Sequence, residues 1–263
     1  MFRLRQLALA LTLATSGCAA SLSRAPLPDT FDSAEAEIAR MEANPRPLKR
    51  PVIVLLSGFL DPNLLPSPMP EAFRKTSGDD RVEEMLFCLD FSFPSCRKKV
   101  IDRLEARWPS GNPDETVEVD VVSYCIGGLV ARYAAVPAGT PGFSDRCKPE
   151  GKRLRIRTLY TAGTPHQGIT LSWPMGSLSP DPRVRDMVPG SDFLAALDKI
   201  PMDYKMISYG VERDWVVGLE HCAPPGQEPR WTHWRPFHFS HIGTGSDLRI
   251  LADILREMRK EEK

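Results

Sequence analysis

The segment VVSYCIGGLVARY, residues 121–133, holds the sharpest change of pattern in the chain. It begins as a run of β-branched and aromatic residues typical of a buried strand and ends in a pattern typical of a helix. Between the two, Cys125 is followed by Ile126 and two glycines. A cysteine that serves only packing would fit better in the apolar run on either side, so this position raises the question of whether Cys125 is a nucleophile.

The five residues 123–127, SYCIG, fit a tight strand-to-helix turn of the form small-x-nucleophile-x-Gly, the nucleophile elbow. Small residues let strand and helix approach closely, and the strained turn lifts the side chain of the nucleophile clear of the backbone. Ser123 stands where the first glycine is usual, and Cys125 stands where serine is usual. The pattern therefore predicts that Cys125 is a nucleophile, with a buried cysteine that merely packs as the alternative.

Strand-like and helix-like patterns alternate on both sides of this turn. Apolar runs predict strands at 51–59, 83–91, 117–124, 154–165 and 204–211, with a weaker one at 230–239, and helices are predicted at 33–43, 95–108, 127–136 and 247–260. Such alternation predicts an α/β fold: a mostly parallel sheet with helices on both faces and right-handed crossovers. Ligands bind such sheets at the carboxyl ends of the strands. A Pro-stiffened apolar loop is expected at 59–73, at the edge of that region.

Length and charge limit the number of domains and the kinds of partner that are expected. The 263 residues suit one well-packed α/β domain, and their 42% hydrophobic content suits a globular core. Lys+Arg and Asp+Glu both number 34, and no basic stripe stands out, so nucleic acid is not an expected partner. His221 and His233 lie in a polar stretch without ligand spacing, so no metal site is expected.

The N-terminus, MFRLRQLALALTLATSGCAA, has the features of an export signal. Two arginines precede an apolar run that is shorter than the roughly 18 residues of a membrane span. Small residues before Cys18 resemble a bacterial lipobox, although Thr15 stands where leucine is usual. These features predict a lipoprotein signal peptide over 1–17 and lipidation of Cys18, with a plain secreted protein as the alternative.

A tether is expected over 18–49, including the short helix at 33–43, for which Asp32 is a candidate N-cap. The membrane would then be a partner through the lipidated N-terminus. The predicted location is the bacterial cell envelope, at the periplasmic face or the outer membrane.

Five further cysteines follow the N-terminal segment. Cysteines of exported proteins tend to pair, and an odd number leaves one free. Pairing Cys88 with Cys96, which are close in sequence, and Cys147 with Cys222, which lie in polar loops, would leave Cys125 free. The sequence does not fix this connectivity, and other pairings stay open.

Several motifs together resemble the α/β-hydrolases, particularly the small bacterial lipases and esterases. VDVVSYCIGGLVARY resembles their elbow, PVIVLLSGF their strand ending in His-Gly-Phe with Ser57 in place of His, and TAGTPHQG their loop after the following strand. DMVPGSDFLAAL resembles a cap segment, ERDWVV the segment of the acid, and HIGTGSDLRILADIL that of the histidine. The resemblance runs from about residue 51 to the C-terminus and implies an α/β-hydrolase domain over 50–263, with a small cap insertion at about 167–203.

The resemblance also assigns roles by position. Cys125 would attack an ester carbonyl, His241 would act as general base and then general acid, and Asp214 would orient the imidazole. The oxyanion hole would use the backbone N–H groups of Phe59 and Ile126.

Other residues are alternatives for the roles of the histidine and of the acid. His238 is three residues from His241, and Glu212 and Glu220 are near Asp214. His166, in the Thr-Pro-His-x-Gly turn, is interpreted as a residue that fixes its loop.

The implied function is hydrolysis of a small-molecule or lipid carboxylic ester through a thioester acyl-enzyme, without a cofactor. The box GYC-x-GG of polyester synthases is close to SYCIGG at 123–128, so an acyltransferase of the same fold is an alternative. A catalytically inactive envelope lipoprotein with a binding role is another.

Overall fold

A computed structural model of the protein describes residues 25–57, 67–87, 90, 92–169, 182–234 and 240–260. Within these ranges, six strands form one sheet. They are β1 (Val52–Ser57), β2 (Val82–Leu86), β3 (Val119–Cys125), β4 (Ile156–Ala162), β5 (Lys205–Val211) and β6 (Arg230–Thr232). Their order across the sheet is β2-β1-β3-β4-β5-β6, and every pairing is parallel. The predicted parallel α/β sheet is confirmed, and the weaker strand signal near residue 230 corresponds to β6.

Strand β3 lies inside the sheet, between β1 and β4. All seven of its residues are buried, which explains why apolar and polar side chains do not alternate along it. Cys125, its last residue, pairs with Ser57 at the end of β1. The predicted nucleophile therefore lies at the carboxyl edge of the sheet, where ligands of such folds bind.

Eight helices are described: α1 (Phe31–Ala43), α2 (Met69–Ser77), α3 (Phe93–Arg107), α4 (Ile126–Ala134), α5 (Pro182–Asp186), α6 (Asp192–Asp198), α7 (Ser240–Thr244) and α8 (Leu248–Lys260). Helix α4 packs against β1, β3 and β4 and against α3. Helix α1 packs against α2 and α8. These two groups cover the two faces of the sheet.

The N-terminal end of α1 differs from the prediction in its cap. Thr30, not Asp32, is the N-cap: its hydroxyl accepts from the Ser33 N–H at 3.1 Å. The Ser33 hydroxyl accepts in turn from the Thr30 N–H at 2.9 Å, which completes a capping box. Asp32 lies inside the first turn, where its negative charge favours the helix through the macrodipole.

From Leu27 on, the predicted tether at 18–49 is packed against the domain. The Leu27 N–H donates to the Trp231 carbonyl at 2.7 Å, at the edge strand β6. Arg256 of α8 donates to Asp29 Oδ2 at 2.8 Å. The hydrophobic face of α1 is also part of the core, so the folded body begins before the predicted boundary at residue 50.

Helix α2 falls partly within the segment predicted as a loop at 59–73. Pro68 is its N-cap, and Pro70 lies in its first turn, where the missing N–H would have no intrahelical partner. The prolines that suggested a loop are therefore compatible with the start of a helix.

The predicted cap at about 167–203 is described except for 170–181. Its helix α6 is anchored by Phe193, whose ring stacks on Phe93 of α3 with centroids 4.1 Å apart. The side chain of Phe193 therefore contributes to core packing.

The cysteines with described positions are free thiols: Cys96, Cys125, Cys147 and Cys222. The pairing of Cys147 with Cys222 is therefore corrected. Cys147 Sγ lies 3.9 Å from Asp186 Oδ2, whereas Cys222 Sγ donates to the Gly218 carbonyl at 3.3 Å beside the end of β5, so two separate parts of the fold hold these thiols.

The other proposed bridge involves Cys88, which lies outside the described residues. Its suggested partner Cys96 has a free thiol, and burial in the first turn of α3 raises the pKa of that thiol to about 12.

Candidate active site

The backbone turns sharply at Cys125. This residue has φ 51° and ψ −126°, and α4 begins directly after it at Ile126. Positive φ is costly for a residue with a side chain and persists only where the surrounding structure imposes it. Strand, strained residue and helix thus form the elbow that the sequence predicted, with the cysteine at its apex.

The two glycines after the turn allow close packing of α4. A Cβ atom on Gly127 would overlap the Leu55 carbonyl oxygen of β1, and one on Gly128 would overlap the Thr164 side chain. A larger residue would force the helix away from β1 at position 127 and away from Thr164 at position 128. The glycines therefore set the approach of α4 that brings its N-terminus under Cys125.

His241 lies beside the sulfur, although 116 residues separate it from Cys125 in the chain. Its Nε2 is 3.2 Å from Cys125 Sγ, and its Nδ1 is 2.8 Å from Asp214 Oδ2. Cys125, Asp214 and His241 are exposed by only 1%, 4% and 8%. The fold thus brings together the three residues predicted as catalytic.

Asp214 is held by the turn that follows β5. Its Oδ1 accepts from the backbone N–H groups of Val216 at 3.0 Å and Val217 at 3.1 Å, which leaves Oδ2 for His241. The preceding residue, Arg213, has a left-handed φ of 61°. This turn fixes the orientation of the carboxylate independently of its contact with His241.

The alternative acid Glu212 has a different partner. Glu212 Oε2 lies 3.2 Å from Nδ1 of the exposed His233, away from His241. Glu220 follows Gly218 in a short 3-10 turn, and His238 lies outside the described residues.

Electrostatics favour a protonated His241. Burial lowers the pKa of its imidazole, but negative charge at Cys125 and the hydrogen bonds with Asp214 and Cys125 outweigh burial and raise that pKa to about 10. The site therefore stabilises an imidazolium next to the sulfur, an arrangement suited to a cysteine nucleophile paired with a histidine.

Part of the predicted oxyanion hole is described. The Ile126 N–H is the first of α4, a position where helical N–H groups have no intrahelical partner, and the helix dipole there favours negative charge. Phe59, the other predicted donor, lies outside the described residues.

Gly163, at the end of β4, is a site residue that the sequence did not single out. It has a left-handed φ of 57°, and a Cβ atom there would lie 3.4 Å from Cε1 of His241. The small residue lets the histidine ring pack against the carboxyl end of β4. Its only sequence signal is a glycine near the end of the strand predicted at 154–165.

The other described histidines are engaged elsewhere. His166 is fully buried between Arg132 Nη1 at 3.2 Å and Thr161 Oγ1 at 3.1 Å, and burial together with the Arg132 charge lowers its pKa well below the usual value. This fits its interpretation as a residue that fixes the loop. Over the described ranges of the chain, no group of three or more His, Cys, Asp or Glu side chains is arranged to hold a metal ion.

No protein-family model matches the sequence, and neither does any curated protein. Solved structures do resemble the fold. The lipase BlEst2 from Bacillus licheniformis in its propeptide form has a TM-score of 0.50 and 16% identity, over 81% of this chain and 51% of that one, so this chain spans about half its length. The mature form of that lipase has a TM-score of 0.47 and 15% identity, over 81% of this chain and 94% of that one.

The product of gene lin2722 from Listeria innocua has a TM-score of 0.39 and 12% identity, over 81% and 92% of the two chains. Because the sequence identities are this low, the similarities to these structures indicate the fold alone. The parallel sheet with helices on both faces, together with its likeness to the propeptide form of the Bacillus lipase, shows that this chain has an α/β-hydrolase fold.

Proposed function

We propose that the protein is a carboxylic ester hydrolase that acts through a triad of Cys125, His241 and Asp214. The observation that carries the proposal is the position of His241 between the other two residues. Its Nε2 lies 3.2 Å from Cys125 Sγ, and its Nδ1 lies 2.8 Å from Asp214 Oδ2. A nucleophile within reach of a base that is itself oriented by a third group is the arrangement that nucleophilic catalysis requires. The lipase-like fold supports an ester as the substrate.

In the first half of the reaction, the sulfur of Cys125 attacks the carbonyl carbon of the ester, and its proton resides on His241 Nε2. A C–S bond forms and the carbonyl oxygen becomes an oxyanion, which the Ile126 N–H and, on this proposal, that of Phe59 stabilise. Losing one such donor typically costs about 10²–10³ in kcat. The ester C–O bond then breaks, His241 protonates the departing alkoxide, and an acyl thioester remains on Cys125.

In the second half, water attacks the thioester carbonyl. His241 Nε2 takes a proton from that water as the new C–O bond forms, and the C–S bond breaks to release a carboxylic acid. Asp214 stabilises the imidazolium at each stage through its contact with Nδ1. The electron pair of the C–S bond stays on sulfur, so the starting pair of Cys125 thiolate and His241 imidazolium is restored.

The test uses the purified full chain and p-nitrophenyl butyrate as a probe ester. We expect a butyryl adduct on the Cys125 peptide by mass spectrometry, together with release of p-nitrophenol. Cys125→Ala should abolish both, and Cys125→Ser should retain part of the turnover because a serine would use the same elbow and histidine. Cys147→Ala is the matched control, since it removes another buried free thiol remote from His241.

Normal hydrolysis by Cys125→Ala would refute the proposal. Ester products formed when an alcohol acceptor is added would instead indicate an acyltransferase. Absence of both adduct and turnover with a range of acyl chain lengths would favour the inactive binding lipoprotein.

We also propose that Cys18 is lipidated and attaches the protein to the bacterial cell envelope. None of the helices in the described part of the chain has the length and apolar content needed to cross a bilayer. The lipobox-like sequence before Cys18 supports this attachment, and a membrane location would bring a lipid ester within reach of the site.

A further inference from the structure

We propose that Tyr124 is a positioning residue for the general base, and this inference rests on the proposed function. The Tyr124 hydroxyl donates to the backbone carbonyl oxygen of His241 at 2.9 Å. Tyr124 directly precedes Cys125 in β3 and is only 5% exposed. The residue next to the nucleophile thus holds the main chain of the histidine that acts on it.

The position of His241 depends on such an external contact. Its helix, α7, has only five residues, so few intrahelical hydrogen bonds define it. The ring nitrogens bind Cys125 and Asp214, but these bonds orient only the imidazole. The bond from Tyr124 acts on the backbone and fixes where the side chain originates.

Tyr124 is itself firmly held. In the sheet it pairs with Leu56 of β1 on one side and with Ala162 of β4 on the other. Its ring centroid lies 5.4 Å from that of His241. A Cβ atom on Gly245, just after α7, would lie 3.0 Å from the tyrosine ring, so the ring fills the space beneath the end of the helix.

These contacts tie nucleophile and base to one rigid strand. Any displacement of β3 that moves Cys125 also moves the tyrosine that holds His241, so the distance between sulfur and Nε2 is kept. Without the hydroxyl, α7 can shift away from β3 while the ring still fills its space. The expected consequence is a poorer sulfur–imidazole contact with little change in the overall fold.

The test compares Tyr124→Phe with Tyr133→Phe in the full chain. Tyr133 is a matched control because its buried hydroxyl also donates to a backbone carbonyl, that of Cys147, at 2.8 Å, and it contacts none of the three triad residues. The first readout is the rate of Cys125 alkylation by iodoacetamide as a function of pH, followed by mass spectrometry. This measurement requires no ester and therefore does not depend on the proposed activity.

Tyr124→Phe should slow alkylation at neutral pH by about threefold to tenfold, the equilibrium worth of one buried hydrogen bond, and shift the midpoint of the profile to higher pH. With p-nitrophenyl butyrate, kcat should fall by a similar factor while KM stays nearly unchanged. Tyr133→Phe should change the thermal midpoint about as much as Tyr124→Phe does, but should leave the alkylation profile and kcat as in the wild type.

A second variant tests the packing of the Tyr124 ring. Gly245→Ala would push on the tyrosine ring while leaving its hydroxyl in place, and it should shift the alkylation profile in the same direction. A wild-type profile and kcat in Tyr124→Phe, or equal changes in Tyr133→Phe, would overturn the positioning role. Ester hydrolysis by Cys125→Ala would overturn the proposed function instead, whatever the tyrosine variants show.

Discussion

Asp214 Oδ2 lies 2.8 Å from His241 Nδ1, while Oδ1 of the same carboxylate accepts two backbone N–H groups of its own turn. One oxygen is thus used to hold the carboxylate and the other to hold the histidine. The charge of Asp214 can therefore be removed without removing the atom that anchors its side chain.

We expect Asp214→Asn to keep the fold and to lower kcat by about 10²- to 10⁴-fold, because an amide neither stabilises the imidazolium nor enforces the correct tautomer. Steady-state kinetics with a p-nitrophenyl ester measure the loss, and circular dichroism checks the fold. Glu212→Gln is the control, since Glu212 is two residues away and pairs with His233. If the glutamate variant lost activity and Asp214→Asn did not, the identity of the acid would have to be reassigned.

The raised pKa of His241 predicts a dependence of stability on pH. A folded-state pKa of about 10, above the usual 6.5, means that the imidazolium stabilises the folded protein. This contribution is complete below about pH 6.5 and is lost as pH rises through about 10. In urea titrations from pH 6 to 10.5, the free energy of unfolding should therefore fall more steeply for the wild type than for His241→Ala.

His233→Ala is the control for this measurement, since its side chain is exposed and faces Glu212. It should follow the wild-type curve. Parallel curves for the wild type and His241→Ala would show that the folded protein gains nothing from the charged form of His241.

The close approach of α4 to β1 predicts a large cost for a single methyl group at Gly127. Gly127→Ala would overlap the Leu55 carbonyl and should destabilise the fold by about 1–3 kcal/mol or more, because a packed backbone cannot yield cheaply. Gly111→Ala is the control, since a Cβ atom there meets nothing within 4 Å. Chemical denaturation of both variants measures the difference, and equal stabilities would contradict the packing argument.

The proposed lipid anchor predicts that Cys18→Ala blocks lipidation and either releases the protein or leaves its signal uncleaved. A single acyl chain binds membranes only marginally, so stable anchoring needs several chains. A lipoprotein cysteine carries several. Palmitate labelling and membrane fractionation of cells that express each form measure the effect. Unlabelled and fully soluble wild-type protein would exclude the anchor.

The sequence by itself predicted the sheet and the elbow, because both depend on local patterns. The strand pattern of β3 and the glycines of α4 are readable within about a dozen residues, and the alternation of strands with helices is the sum of such short patterns. Strand bounds were predicted less accurately: the strands at 117–124 and 154–165 were begun two residues before β3 and β4, and the second was continued three residues past Ala162. Helix α2 was missed because prolines at a helix start resemble those of a loop.

Contacts between distant parts of the chain were decided only by the tertiary structure. Periodicity does not show that the thiols of Cys147 and Cys222 are held apart, that α1 docks on α8, or that Glu212 faces away from His241. The bond from Tyr124 to His241 spans 117 residues and exists because the fold packs α7 against the carboxyl end of β3. Local sequence specifies which side chains an element presents, whereas the packing of elements against one another specifies which of those side chains meet.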